Sequence, residues 1–172
     1  MAVFFIRAVA VLSLVFAGCG YSLVGHGGFL PDDIQSIGVP EFINRTDRPE
    51  LEQRITEELL RQLQVRSRRR TTAGREGVDA VLLGEVTSFR SLPVEFNPDG
   101  RARTIEVVIT ARSRLQATSD DRIIWAADHF VFRQSYPVGE EGAEFVDVES
   151  LALESVARDF AEAVVTSILE GF

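Results

Sequence analysis

The chain contains no lysine: all 18 of its basic side chains are arginine, set against 26 acidic ones, for a net charge of −8. So acidic a balance argues against nucleic acid as a partner, because binding a phosphate backbone needs concentrated positive charge. The arginine-only usage fits a G+C-rich coding bias, and selection for guanidinium forks that grip phosphate is the second explanation. Cys19 is the single cysteine, so no disulfide can close within the chain. His26 lies in a glycine-rich stretch and His129 on a strand, which is too little histidine for a metal cluster or a catalytic triad. No GxSxG, HExxH or phosphate-cradling glycine loop occurs, and the helical carboxylates fall on polar faces, so no catalytic pair stands out. The sequence reads as that of a non-enzyme, with no cofactor and no metal. It also lacks internal repeats, coiled-coil heptads and low-complexity tracts.

A membrane-spanning helix would need roughly 20 uninterrupted apolar residues, and Arg7 breaks the only candidate. What stands there instead is one positive charge, an apolar run from Ala8 to Ala17, then Gly18 and Cys19. That is the build of an export signal. Small residues immediately before a cysteine form the bacterial lipobox, so cleavage is expected before Cys19, with lipid attached to that cysteine. An ordinary secretory signal is the alternative. Lipobox proteins normally carry three acyl chains, and at about 0.8 kcal/mol per buried methylene these anchor far better than one. Gly20, rather than Asp, favours sorting to the outer membrane. Cleavage removes eighteen residues and leaves 154, enough for one domain with its own core. Arg7 goes with the signal, leaving 17 basic against 26 acidic side chains and a net charge near −9.

The expected organisation is a signal at 1–18, a lipidated N-terminus and flexible lead at 19–30, and a single domain at 31–172. Ile34 to Val39 reads as a strand stopped by Pro40. Asp47 and Glu50 suggest a capping box around Pro49. The helix after it places Leu51, Ile55, Leu59 and Leu63 on one stripe and runs to about Gln64. Arg66, Arg68, Arg69, Arg70 and Arg75 follow, read as a solvated helix end, with a phosphate-binding patch as the alternative. Three long strands come next, at 80–96, 101–118 and 121–136. They are joined by Asn97-Pro98-Asp99-Gly100 and by the tighter Ser119-Asp120. A last helix opens near Asp147 and Glu149, with Leu153, Val156, Phe160, Val164 and Ile168 as its apolar stripe. The fold class is α/β, a two-layer α+β sandwich: a four-stranded sheet with two helices, in the order β-α-β-β-β-α.

Closing both hairpins without bulges writes the register. One face then collects Leu82, Gly84, Val86, Ile105, Ile109, Ala111, Leu115, Ile124, Ala126, Phe130 and Phe132, a core to be covered by helices. The other collects the rows Leu83–Arg114–Trp125, Glu85–Arg112–Ala127, Thr87–Thr110–His129, Phe89–Val108–Val131 and Ser91–Glu106–Arg133. Mixed apolar groups and arginines make this second face either a helix-covered rim or an amphiphilic platform for a partner. Arg112 could serve a ligand or simply pair with Glu85, and Arg114 could do so or stack on Trp125.

Particular residues carry a family resemblance. They are Cys19-Gly20-Tyr21-Ser22-Leu23-Val24-Gly25, Leu30-Pro31, Ile34 through Thr46, and Pro49-Glu50-Leu51-Glu52. Further on come Gly84-Glu85-Val86-Thr87-Ser88-Phe89, Phe96 through Ala102, and Ile124-Trp125. Together they resemble the lipopolysaccharide-assembly lipoprotein family, LptE, over nearly the whole mature chain. The resemblance implies two helices on one side of a four-stranded sheet. It also implies a lipid-anchored protein on the periplasmic face of the outer membrane, inside the lumen of an LptD-type β-barrel. There it would plug the barrel, help it assemble and contact lipopolysaccharide. Cys19 is the one residue whose role carries over. Arg101, Arg103, Arg112, Arg114 and Trp125 are the candidate contacts for lipopolysaccharide or the barrel. Local arginines would have to overcome the net negative field. A periplasmic adaptor lipoprotein that regulates a cell-envelope enzyme is the alternative function.

Overall fold

The computed structural model describes residues 30–137 and 145–171, with the side chains of the last helix described from residue 153. The expected export signal and Cys19 lie outside the described residues. The elements are β1 (Ser36–Val39), β2 (Ile43–Asn44), α1 (Leu51–Arg66), β3 (Arg70–Ala73), β4 (Ala80–Phe96), β5 (Ala102–Ala117), β6 (Ile123–Pro137) and α2 (Phe145–Glu170). They build one six-stranded sheet in the order β3-β1-β4-β5-β6, with β2 paired to β4.

The two helices and the three long strands stand where the sequence placed them, but the sheet has six strands rather than four. β2 is only two residues long, too short for any periodicity to show. β3 was hidden in the arginine run: Thr71 and Thr72 are β-branched, and the segment pairs in parallel with β1 from Ser36↔Arg70 to Val39↔Ala73. Arg66 is not merely solvated. Its Nη1 donates to the Thr166 hydroxyl at 2.8 Å and to the Glu162 carbonyl at 3.3 Å, tying α1 to α2.

Helix α1 buries Leu51, Ile55, Leu59 and Leu63 completely, as its stripe requires. The expected capping box does not form. Glu50 is the N-cap, left-handed at φ 62°, and makes no side-chain cap bond. Asn44 closes the turn instead, because an amide both donates and accepts. Its Nδ2 donates to the Arg48 carbonyl at 2.7 Å and to Glu52 at 2.6 Å, while its Oδ1 accepts from the Thr46 amide at 2.9 Å.

Both helices pack on the same face of the sheet, in one cluster with Ile37, Val39, Leu82, Val86, Val107, Ile109, Ala111 and Leu115. From α2 the cluster takes Val156, Phe160, Val164 and Ile168. From Val107 on, every second residue of β5 is buried beneath the helices, namely Val107, Ile109, Ala111, Ser113, Leu115 and Ala117. On the opposite face Arg112 and Arg114 are exposed, although Val108 is buried there too.

At the junction of β1 and β4, Asp79 Oδ2 accepts from the Ser36 hydroxyl (2.7 Å), the Ser36 amide (2.8 Å) and the Gln35 amide (3.0 Å). The Ser36 hydroxyl first, and then the Gln35 amide, hold this carboxyl below the usual aspartate range. Its folded value is lower than its unfolded one, so the contribution is complete at neutral pH and fades as pH falls through the ordinary aspartate value. Asp79→Asn is therefore expected to lower the urea midpoint at pH 7, and the difference from the parent narrows only below about pH 4. Equal midpoints at pH 7 would remove Asp79 from the supports of the fold.

Candidate partner-binding face

The sheet's second face carries no helix among the described residues. At its centre Glu85 and Arg112 are direct cross-strand partners. The Glu85 side chain is 13% exposed and lies beneath two arginines that are 60% (Arg112) and 63% (Arg45) exposed. Arg45 Nε donates to Glu85 Oε1 at 2.9 Å; Arg112 donates to Oε2 through Nε at 3.0 Å and Nη2 at 2.7 Å. The Arg112 and Arg45 guanidiniums hold the Glu85 carboxyl below the usual glutamate range. β2 positions Arg45, whose amide donates to the Val86 carbonyl at 2.9 Å while Ile43 pairs with Glu85. Arg114, two residues from Arg112, is exposed and has no carboxylate partner among the described residues. Apolar groups flank this centre. Leu83 is opposite Arg114, Ala126 opposite Arg114 on the other side, and Ile43 and Ile123 are half exposed.

Of the residues singled out in the sequence, only Arg112 and Arg114 meet here. Trp125 does not: it is 5% exposed, faces Leu115 beneath the helices, and its indole N–H donates to the Ser167 hydroxyl at 3.3 Å. The reason is a bulge. Pairing slips by one between Leu115↔Trp125 and Gln116↔Ile123, which turns Trp125 inward and Ala126 outward. A second slip, between Ala111↔Phe130 and Ser113↔Ala127, returns Phe130 and Phe132 to the covered face. β4 slips between Val86 and Ser88, so Phe89 pairs with Ile109 and joins the covered side. There Arg48 lies over its ring at 5.2 Å, so a cation–π contact forms at a different pair from the expected Arg114 and Trp125.

Arg101 and Arg103 are at the tip of the β4–β5 hairpin, where Asn97 N donates to the Arg101 carbonyl at 2.8 Å. Nine residues of extended strand separate Arg103 from Arg112, roughly 30 Å, so the four arginines cannot share one ligand group. Arg45 is the member that sequence reasoning missed. Its one signal was its place one residue beyond the apolar Phe42-Ile43 pair, at the end of the short strand.

The bulge at Asp128 and His129 also opens a cleft of about 500 Å³ between β6 and α2, floored by Ala127, Phe130 and Ala163. No group of His, Cys, Asp and Glu among the described residues could hold a metal. No described helix is long and apolar enough to cross a membrane.

The described residues thus form a two-layer sandwich with one sheet face covered by helices and the other left amphiphilic. Residues 34–168 match the family model LptE, Lipopolysaccharide-assembly, and the chain belongs to that family. It is therefore a non-enzymatic lipopolysaccharide-assembly lipoprotein of the cell envelope. A comparison with curated proteins finds no match. Among solved structures the chain resembles the PelC dodecamer subunit from Paraburkholderia phytofirmans, at 16% identity and a TM-score of 0.52, over 84% of this chain and 94% of that one. A Xanthomonas campestris protein is similar at 14% identity and a TM-score of 0.52, over 83% and 90% respectively. A candidate lipoprotein from Caulobacter crescentus is similar at 14% identity and a TM-score of 0.50, over 76% and 87%. At these identities the likenesses concern the fold alone.

Proposed function

We propose that this chain is the lipoprotein partner of an LptD-type outer-membrane β-barrel. In this reading the signal at 1–18 is removed and lipid on Cys19 tethers the domain to the periplasmic face of the outer membrane. The domain plugs the barrel lumen, helps the barrel to assemble, and contacts lipopolysaccharide on its way out. The observation that supports it, beside the family membership, is the sheet face that the described helices leave open. Apolar Ile43, Ile123 and Val131 on that face suit contact with a barrel wall, and the arginines suit a phosphorylated glycolipid.

The test is affinity purification of the full-length chain from its native envelope. A large outer-membrane barrel is expected as a stoichiometric partner, and depletion of the chain is expected to leave the barrel unassembled. Recovery of a peptidoglycan synthase and no barrel would hand the assignment to the adaptor reading. Mass spectrometry of the mature N-terminus is expected to find Cys19 acylated. Cys19→Ala is expected to release the protein from membranes.

A further inference from the structure

We propose that Tyr21 to Val24 of the N-terminal lead dock on the outer edge of β6 as one more antiparallel strand, with Tyr21 and Leu23 seated in the cleft between β6 and α2. The inference goes beyond the reading above. It is carried by the sheet edge, the cleft and the place where the chain enters the fold.

The sheet ends differently on its two sides. β3 closes one side with four residues that begin at Arg70. β6 closes the other with fifteen, and no strand lies outside it among the described residues. Every second residue of such a strand points its N–H and C=O away from its single neighbour, so β6 offers a long row of groups ready to pair. Charges that would blunt this edge are few. Arg133 is paired inward, with Glu106 of β5 at 3.8 Å, and Asp128 falls in the bulge. Apolar groups bracket the stretch instead, Ile123 at 50% exposure and Val131 at 46%. Alongside it, the cleft of about 500 Å³ is lined by Ala126, Ala127, Phe130 and Ala163. Three of these are alanines, and their small side chains leave a volume that large ones from an added strand would fill.

The entry point of the chain names the occupant. Residues before Leu30 lie outside the described residues, and Leu30 itself is 6% exposed within the core cluster. Asp33 accepts from Arg122 Nη2 at 2.8 Å, and Arg122 directly precedes β6. The chain thus reaches β1 from the β6 side. Tyr21 to Val24 precede Leu30 by six to nine residues, a reach of at most roughly 20–32 Å. Ala127 is five residues along β6 from Arg122, roughly 17 Å, so the cleft is within that reach. The lead runs toward Arg122 while β6 runs away from it, which makes the added pairing antiparallel. Along an extended strand Tyr21 and Leu23 fall on one side, the side turned to the cleft, and their burial there drives the docking. Cys19 is then held two residues beyond the docked strand, against the domain. With the lipid of the reading above on Cys19, the sandwich keeps a fixed attitude to the membrane.

Hydrogen exchange of the full chain in nonionic detergent, read by mass spectrometry, tests the docking. Peptides covering Ala126 to Phe132 are expected to exchange at least about tenfold faster in Tyr21→Asp and in Leu23→Asp than in the parent. Ser22→Asp, on the other side of the added strand, is expected to change them less than about threefold. Peptides of β4 from Val81 to Val86 are expected to be unaltered throughout, which certifies the fold. Equal exchange in the parent and Leu23→Asp would overturn the docking and leave β6 open to a partner's strand. Protection of β6 that rises with protein concentration would overturn it in favour of a second copy. Cys19→Ser is expected to keep the protection, so loss of the lipid anchor and loss of the docked strand are separate results.

Discussion

Phe160→Ala is expected to cost about 3–5 kcal/mol of folding stability, a large share of the ~5–15 kcal/mol that holds a domain together. The ring is fully buried in the middle of α2. It meets two rings of β6 edge to face: Phe130 at 5.7 Å and 88°, and Phe132 at 5.9 Å and 87°. Truncation removes transfer energy, leaves a void, and deletes both aromatic contacts, each worth about 0.5–1.5 kcal/mol beyond its area. Phe160→Leu keeps most of the volume and is expected to cost under about 2 kcal/mol. Urea unfolding measures both variants, with Trp125 as the reporter. It is the sole tryptophan, and its bond to Ser167 spans the same helix–sheet interface. A midpoint for Phe160→Ala within experimental error of the parent would show that α2 is held elsewhere. The uncovered face contains no part of this cluster, so loss of the proposed barrel partner in such a variant would report lost fold rather than lost contact.

Gly84→Ala is the second large effect, expected at about 1–3 kcal/mol by overpacking. A methyl group there would land on Cε2, Cζ and Cδ2 of Phe42. An aromatic ring can often swing aside, but this one is 2% exposed, and its backbone amide donates to the Thr56 hydroxyl of α1 at 3.0 Å. Phe42→Ala alone is expected to cost about 3–5 kcal/mol. In the double variant the Gly84 penalty should vanish, so the two costs fall short of additivity by about 1–3 kcal/mol. Gly38 supplies the contrast. Its methyl group would meet the backbone carbonyl of Gly74, which no side-chain deletion removes. Gly38→Ala should therefore destabilise in either background. Full additivity at Gly84 and Phe42 would show that the ring is not the obstacle.

Much of the covered face was legible. The stripe of α1, the stripe of α2 and the alternation of β5 each depend on a period that local sequence carries by itself. The pairing of Glu85 with Arg112 was legible as well, because pairing in the β4–β5 ladder keeps to the unbulged count from Ala80↔Ala117 to Val86↔Ala111. Trp125 and Phe89 were misplaced for one physical reason. A bulge inserts a single residue and turns every later side chain over, and its place is chosen by which groups gain most from burial. Nothing within β6 alone shows that an indole belongs under α2. β3 was missed because its charge resembled a helix end, and Arg45 because the strand it follows is only two residues long.

Whether the mixed face was rim or platform could not be read from spacing, since a helix stripe records that it is buried but not against which side of a sheet. By itself the sequence determined the elements, their apolar faces, the scarcity of catalytic groups and the family likeness, all of which rest on residue type and local period. Only the tertiary structure decided that two arginines close over one carboxylate and that Trp125 turns inward beneath the helices. Those outcomes depend on packing between segments far apart in the chain, where each element's choice is fixed by its neighbours.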